Sequence, residues 1–204
     1  MFNWIKKIIN KIKSEIAYRK RLKELKKIKS HEFKTTIYES KIEFDHKKLM
    51  GLLDYENLEN VGYMKTTYFK EKNILLLPAF KFLLDSCQTF YGQVAKENKY
   101  TSWNILSSWF QRYDKGDFHD THIHFPLEDN WNFVFYIDCK EDSSNMIILE
   151  PGYPYVNSNQ RVTIKPEIGR CVAFPGHIPH FVEPNKSDRR IIMSTNLEFL
   201  KGGK

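Results

Sequence analysis

The sequence predicts a mainly β protein with flanking helices: helices first, then an antiparallel β-sandwich built around residues 100–200. Three observations carry this. The segments "WNFVFYID", "NMIILEP", "QRVTIKP", "RCVAFPG", "HFVEP" and "RRIIMSTNLEF" are short runs rich in β-branched and aromatic residues. Turn signals (Pro, Gly, Asn-Ser, Asp-Ser) separate them about every eight to twelve residues, the spacing of a sandwich or barrel. Helical periodicity is confined to the chain before residue 100. A chain of 204 residues is long enough for one sizeable core and an appendage.

The elements follow in order. Residues 1–30 form the first unit, a basic amphipathic helix over 2–29. Ile5, Ile8, Ile9, Ile12 and Ile16 recur at helical spacing with lysines on the other face, and Leu22, Leu25 and Ile28 resume the stripe. Residues 31–204 form the second unit. "TIYESKIEF" (36–44) reads as a strand. Pro78 opens a supporting helix over about 78–98, with Phe80, Leu83, Leu84, Cys87, Tyr91 and Val94 as its buried stripe. Tyr100 to Tyr113 has strand character and places Trp103, Ile105, Ser107 and Trp109 on one face.

Charge is unevenly spread. Residues 1–29 hold eleven Lys and Arg against Glu15 and Glu24, so they account for +9 of the chain's +7 and leave −2 for the rest. The basicity belongs to the N-terminal segment, so the body is not read as a nucleic-acid binder. The segment suits an acidic partner, nucleic acid or an anionic membrane surface, or else packs its apolar stripe on the body or on a second copy in a homodimer. Cys87, Cys139 and Cys171 are odd in number and lack a C-x-x-C pair, as in a reducing compartment. No secretory signal is seen in the first residues, and the run "ILLLPAF" is too short to span a bilayer. A cytoplasmic location is expected, the host cytoplasm if the source is viral.

The stretch "GDFHDTHIHF" (116–125) contains three of the chain's seven histidines. Read as a strand, it points His122 and His124 to one face with Asp120 behind them, and His119 to the other. A facial metal triad needs a third ligand from a distant strand. His177 and His180 are candidates; His180 is better placed, since residues 176–179 read as a turn and His180 starts a strand. The triad is then His122 and His180 with either His124 or Asp120. If not a ligand, Asp120 is an acceptor for a ligand imidazole or a solvated acid. His119, His177, His31 and His46 are read as surface residues.

Beyond these residues, "SSWFQRYDKGDFHDTHIHFP", "FVFYID" and "PEIGRCVAFPGHIPHFVEPNKSDRRIIMSTN" together resemble the 2-oxoglutarate/Fe(II)-dependent oxygenases. The likeness is greatest to a subgroup found in phages and marine bacteria, and more distant to the prolyl hydroxylases. It covers about Ser107 to Asn196. Two features depart from the subgroup's pattern. Pro126 follows Phe125 where a proline directly follows the second histidine, and Ile192 stands where a serine is usual, with Ser194 two residues on.

The resemblance implies a double-stranded β-helix (jelly-roll, cupin-like) core. It implies Fe(II) held by His122, His124 and His180, with 2-oxoglutarate as co-substrate and O2 as oxidant. Arg190, ten positions past His180, is implied as the anchor of the far 2-oxoglutarate carboxylate, with Tyr136 bonding the same group and Tyr113 as a second candidate. A guanidinium fork matches a carboxylate bidentately and cannot lose its charge when buried. Arg189, of opposite strand parity, is read as solvated. The expected activity is a dioxygenase, a hydroxylase coupling 2-oxoglutarate decarboxylation to C–H oxidation. Its prime substrate stays open between a protein side chain, a nucleobase and a small metabolite. Two rival readings stand beside it: a cupin-like three-histidine dioxygenase without 2-oxoglutarate, and a non-catalytic jelly-roll binding module.

Overall fold

The computed structural model describes residues 10–20, 35–53, 58–149 and 161–202. The chain divides into two compact units, Met1–Lys34 and Thr35–Lys204. In the first, a helix (α1) spans 10–20, with Glu15 and Arg19 paired one turn apart at 3.2 Å. The remainder of the helix expected over 2–29 lies outside the described residues, as do His31 and the end of "NMIILEP".

The second unit begins with a strand shorter than the 36–44 expected. Strand β1 (Tyr38–Lys41) ends where the Ile42 amide bonds Gly169 O at 2.7 Å. The Asp45 carboxylate then caps a helix not anticipated, α2 (His46–Leu52), by accepting from Lys48 N at 2.9 Å. Gly169 adopts φ +88°, and a Cβ there would meet Ile42 O at 2.9 Å, so only glycine closes this corner.

Two short strands follow, β2 (Glu59–Asn60) and β3 (Lys65–Thr66). The expected helix then begins as a 3-10 turn over Pro78–Phe80 and continues as α3 (Lys81–Glu97). Leu83, Cys87, Tyr91 and Val94 are buried as expected, and Phe90 joins them. Leu84 is only partly buried. A fully buried Leu or Phe side chain contributes about 1.5–3 kcal/mol, so this stripe fixes the helix on the sheet beneath it.

Eight further strands complete two sheets. They are β4 (Ser102–Asp114), β5 (His119–His122), β6 (Asn130–Asp138), β7 (Met146–Leu149), β8 (Arg161–Ile164), β9 (Arg170–Pro175), β10 (His180–Val182) and β11 (Arg189–Leu200). One sheet has the order β1-β9-β6-β11-β4-β3-β2, the other β5-β10-β7-β8. Every pairing between named strands is antiparallel. Two apolar clusters result. One packs α3 on the outer face of the large sheet through Leu83, Tyr91, Phe110, Phe133 and Phe199. The other lies between the sheets and includes Tyr113, Val134, Tyr136, Ile148, Phe174 and Val182. Two such sheets closing on each other form the double-stranded β-helix.

The face expected along β4 is split by a bulge. Leu197 pairs with Ile105 and Asn196 with Ser107, which leaves Leu106 unpaired and reverses the parity there. Trp103 and Ile105 therefore pack with the outer cluster, while Trp109 lines an inner pocket.

Candidate metal centre

The strand expected at "THIHF" ends early: β5 covers His119–His122, and Ile123 and His124 lie beyond it. His122 sits directly opposite His180 of β10. His124 is held from outside the strand. Its amide bonds Gly176 O at 2.8 Å, and the Gly176 amide bonds Asn130 O at 2.8 Å. A Cβ at Gly176 would fall 2.5 Å from Phe125 O, so the loop approaches this closely only because residue 176 has no side chain.

One ligand atom from each of His122, His124 and His180 lies within 4.8 Å of the others; Asp120 is not in this group. Nε2 of His124 and Nε2 of His180 are 3.3 Å apart. In His122 and His180 the other ring nitrogen faces a backbone carbonyl. His122 Nδ1 lies 2.7 Å from Asp120 O, and His180 Nδ1 lies 3.1 Å from Ile178 O. With Nδ1–H bonded to a carbonyl, Nε2 keeps its lone pair for a cation. Asp120 thus enters the site through its backbone, and its side chain is exposed. His119 is not the surface residue expected. A register shift in β5 brings its ring onto that of His122, with centroids 3.8 Å apart, and Tyr63 lies 5.5 Å away on the same ring. His177 is exposed, and His46 lies at the start of α2 near Asp138.

Burial disfavours the charged form of each of these imidazoles, and in His119, His124 and His180 the neighbouring rings add to it. His124 and His119 are both pushed down to about 3; the Arg190 charge adds to the effect on His119. His180 is held well below its usual value, and His122 is lowered as well. Three neutral imidazoles converging on one point are suited to a divalent transition metal, which they leave with its full +2 charge.

A second polar group is buried between the sheets. Arg190 on β11 is 1% exposed and stands opposite Tyr113 of β4, its guanidinium carbon 4.3 Å from the ring centre. Nη1 donates to Ser144 O at 2.7 Å, while Nε and Nη2 are buried without partners. The hydroxyls of Tyr113 and Tyr136 are also buried and unpartnered. Burial pushes the Tyr136 phenol up to about 12 and raises that of Tyr113, so both remain protonated donors. Leaving four donors of this kind unsatisfied is costly, and a carboxylate would satisfy them together. Arg189 instead pairs with Asp138 at 2.6 Å near the surface.

Beside the histidines opens a pocket of about 350 Å3, lined among others by Tyr63, Tyr68, Trp109, Gln111 and Phe125. Trp109 lies over the His124 ring at 5.9 Å and meets Tyr68 edge-on at 4.9 Å. Asn132 and Asn196, buried beneath His124 with Ser194, were not anticipated. The signal available for Asn132 was an amide in the otherwise apolar run "WNFVFYID", since a buried polar group needs partners.

Residues 107–196 match the family described as "Putative 2OG-Fe(II) oxygenase". No curated protein is similar enough in sequence to count as a relative. Among solved structures, the fold resembles a 2OG-Fe(II) oxygenase family oxidoreductase from Burkholderia pseudomallei, at 15% identity and TM-score 0.56, covering 74% of this chain and 75% of that one. It also resembles the viral collagen prolyl hydroxylase of Paramecium Bursaria Chlorella virus-1 with 2OG bound, at 13% identity and TM-score 0.57, over 81% and 96% of the two chains. HygX from Streptomyces hygroscopicus with nickel and 2-oxoglutarate bound is similar at 8% identity and TM-score 0.57, over 80% and 83%. At these identities the likeness establishes the double-stranded β-helix fold expected from the sequence.

Proposed function

We propose that the chain, whose residues 107–196 match the 2OG-Fe(II) oxygenase family, hydroxylates an uncharged, largely apolar group of its substrate in a 2-oxoglutarate-dependent reaction. The observation that carries this is a pair of polar side-chain sets. One is the three converging imidazoles; the other is Arg190 with the unpartnered Tyr113 and Tyr136 hydroxyls.

In this reading, Nε2 of His122, His124 and His180 hold Fe(II). Arg190 Nε and Nη2, with the two phenols, hold the far carboxylate of 2-oxoglutarate. Iron bound there supplies, with 2-oxoglutarate and O2, the oxidant for a C–H bond, releasing succinate and CO2. Asp120 O and Ile178 O orient two of the imidazoles through Nδ1–H. The sheets exclude water from the arginine and the phenols. The dianionic co-substrate balances the +2 that three neutral ligands leave on the metal.

The pocket speaks to the substrate. Its described lining holds no Asp, Glu, Lys or Arg, and its one further histidine, His119, is held neutral. A charged group entering it would lose hydration with no counter-charge, so the reacting group is neutral. Aromatic walls suit a ring or an aliphatic side chain, and Gln111 offers an amide for one hydrogen-bonding edge.

The test is anaerobic titration with Fe(II) and 2-oxoglutarate, followed by O2-dependent succinate release with candidate substrates. Binding of both, and succinate formed only when both are present, supports the reading. Iron binding with neither 2-oxoglutarate binding nor succinate release overturns it in favour of a three-histidine dioxygenase that needs no 2-oxoglutarate. A chain that binds no iron overturns it in favour of a binding module.

A further inference from the structure

We propose that Asn132 is a positioning residue for the metal centre: its carboxamide fixes His124 so that Nε2 faces the cation. The inference rests on the three-histidine reading above and concerns how this chain holds its one ligand that lies outside a strand.

His122 and His180 have Nδ1 against backbone carbonyls, Asp120 O at 2.7 Å and Ile178 O at 3.1 Å. A carbonyl can only accept, so it forces Nδ1–H and leaves the lone pair on Nε2. Among the described residues, no backbone carbonyl serves His124 in this way. Its Nδ1 faces the Asn132 amide at 3.3 Å, and the Asn196 side chain, itself bonded to Asn132, also hydrogen-bonds this imidazole. Asn132 is fully buried in the middle of the large sheet, a costly place for a carboxamide without a task.

The hydrogen bonding around that amide is lopsided. The group nearest His124, Nδ2, has three neighbours: His124 Nδ1 at 3.3 Å, Ser194 Oγ at 3.1 Å and Asn196 Oδ1 at 3.0 Å. An amide nitrogen has only two N–H groups to give, while Oδ1 at the other end is buried with no partner. A half-turn of the amide brings Oδ1 to His124 Nδ1–H, which takes one of its two lone pairs. A matching half-turn at Asn196 points its Nδ2–H at the same oxygen, and its Oδ1 at Ser107 Oγ, which now accepts from it at 3.0 Å. The turned amide places its NH2 where Oδ1 was, so the imidazole decides between the two settings. Nε2 can donate to a cation only with the proton on Nδ1, and that proton needs an acceptor. A buried row runs from Ser107 through Asn196 and Asn132 to His124, crossing β4, β11 and β6. It does for His124 what backbone carbonyls do for the other two ligands.

The test uses the full chain and Co(II) as probe, with affinity and the visible spectrum as readouts. Asn132→Leu keeps the volume and removes the acceptor; Asn132→Asp keeps an acceptor at both ends. The expected result is Co(II) affinity at least about 10-fold weaker and an altered spectrum in Asn132→Leu, with affinity restored in Asn132→Asp. If Asn132→Leu fails to fold, the ring proton of His124 is located by nitrogen-15 NMR of the Zn(II)-loaded wild type. A proton on Nδ1 shielded from exchange supports the assignment, and a freely exchanging one overturns it. Wild-type uptake with an unchanged Asn132→Leu removes this inference alone. A wild-type chain that takes up no Co(II) removes the metal-centre reading, and the inference with it.

Discussion

Nε2 of His124 and Nε2 of His180 face each other at 3.3 Å across 56 residues of chain. Two nitrogens each about 2.1 Å from one ion and at a right angle to each other lie about 3 Å apart. The pair is therefore almost at the separation a shared cation needs, with His122 completing the set and the Asp120 side chain exposed. His124→Ala is expected to lower Co(II) affinity by about 100-fold or more, because a lost ligand outweighs the 10–100-fold typical of a lost outer contact. Asp120→Asn is expected to leave the affinity within about 3-fold. Titrating the two variants side by side checks the pair, and a reversed ranking would put the carboxylate in the ligand set.

Arg190 is the most consequential side chain away from the histidines. It is buried with two guanidinium nitrogens unpartnered, and both neighbouring phenols are orphaned. Arg190→Lys keeps the charge but loses the fork. It is expected to weaken 2-oxoglutarate binding by at least about 30-fold, the low end of what breaking a buried charged pair costs. Tyr136→Phe removes one hydrogen bond to a carboxylate and should cost about 10-fold or more. Calorimetry on the Co(II)-loaded chain measures both, and metal affinity should stay unchanged in each. A loss of metal in Arg190→Lys would mean that the residue supports the sheet and not the co-substrate.

Much of this architecture was legible in the sequence. Short β-branched and aromatic runs bounded by turn residues located β6 to β11, and the helical stripe beginning at Pro78 located α3. The parity of "HIH" put His122 and His124 on one side, and the spacing to "PHFVEP" indicated His180. What stayed hidden came from bulges and loops, which alternation cannot see. The unpaired Leu106 swaps the faces of β4, and the register shift in β5 turns His119 inward. His124 shares a side with His122 even though β5 has ended, because its amide is tied to Gly176. Asn132 and Asn196 act through partners on other strands, and pairing between distant strands is not written in local pattern.

The histidines also set a dependence on pH. A free imidazole titrates near 6.5. An ordinary site built from such groups should therefore lose metal as pH falls toward 6. Burial changes this. His124 is pushed down to about 3 and His180 well below its usual value, first by burial and then by neighbouring rings. Protons then compete poorly with metal in the folded chain, and Co(II) affinity should stay level from about pH 7.5 to about pH 5.5. The fold carries the cost. Below about 6.5 the unfolded chain binds protons that the folded chain refuses, so this contribution to stability is complete above that pH and is lost as pH falls toward 3. For buried His180 the slope approaches about 1.4 kcal/mol per pH unit. Thermal melts of the metal-free chain should thus fall steadily below pH 6.5, and a flat melting temperature with a steep loss of affinity would reverse the assignment.

Gly176 offers a sharper test of how the centre is held. Its carbonyl accepts from His124 N and its amide donates to Asn130 O, each at 2.8 Å, so it ties the loop carrying His124 to the end of β9. A methyl group at this position would sit 2.5 Å from Phe125 O and 3.3 Å from Asn130 O. Both neighbours are backbone, which cannot swing aside as a side chain can. Gly176→Ala must push the 124–125 segment away from β9, at a cost of about 1–3 kcal/mol in stability. It should also move His124 by enough to weaken Co(II) binding, because ligand atoms within 4.8 Å of one another leave little slack. A variant at the neighbouring exposed His177, such as His177→Ala, should change neither quantity, since its side chain lies outside the group. Thermal melts and Co(II) titrations of the two variants, read together, separate strain at this corner from general damage to the turn. If Gly176→Ala melts lower but binds Co(II) as tightly as the wild type, the corner supports the fold without placing the ligand.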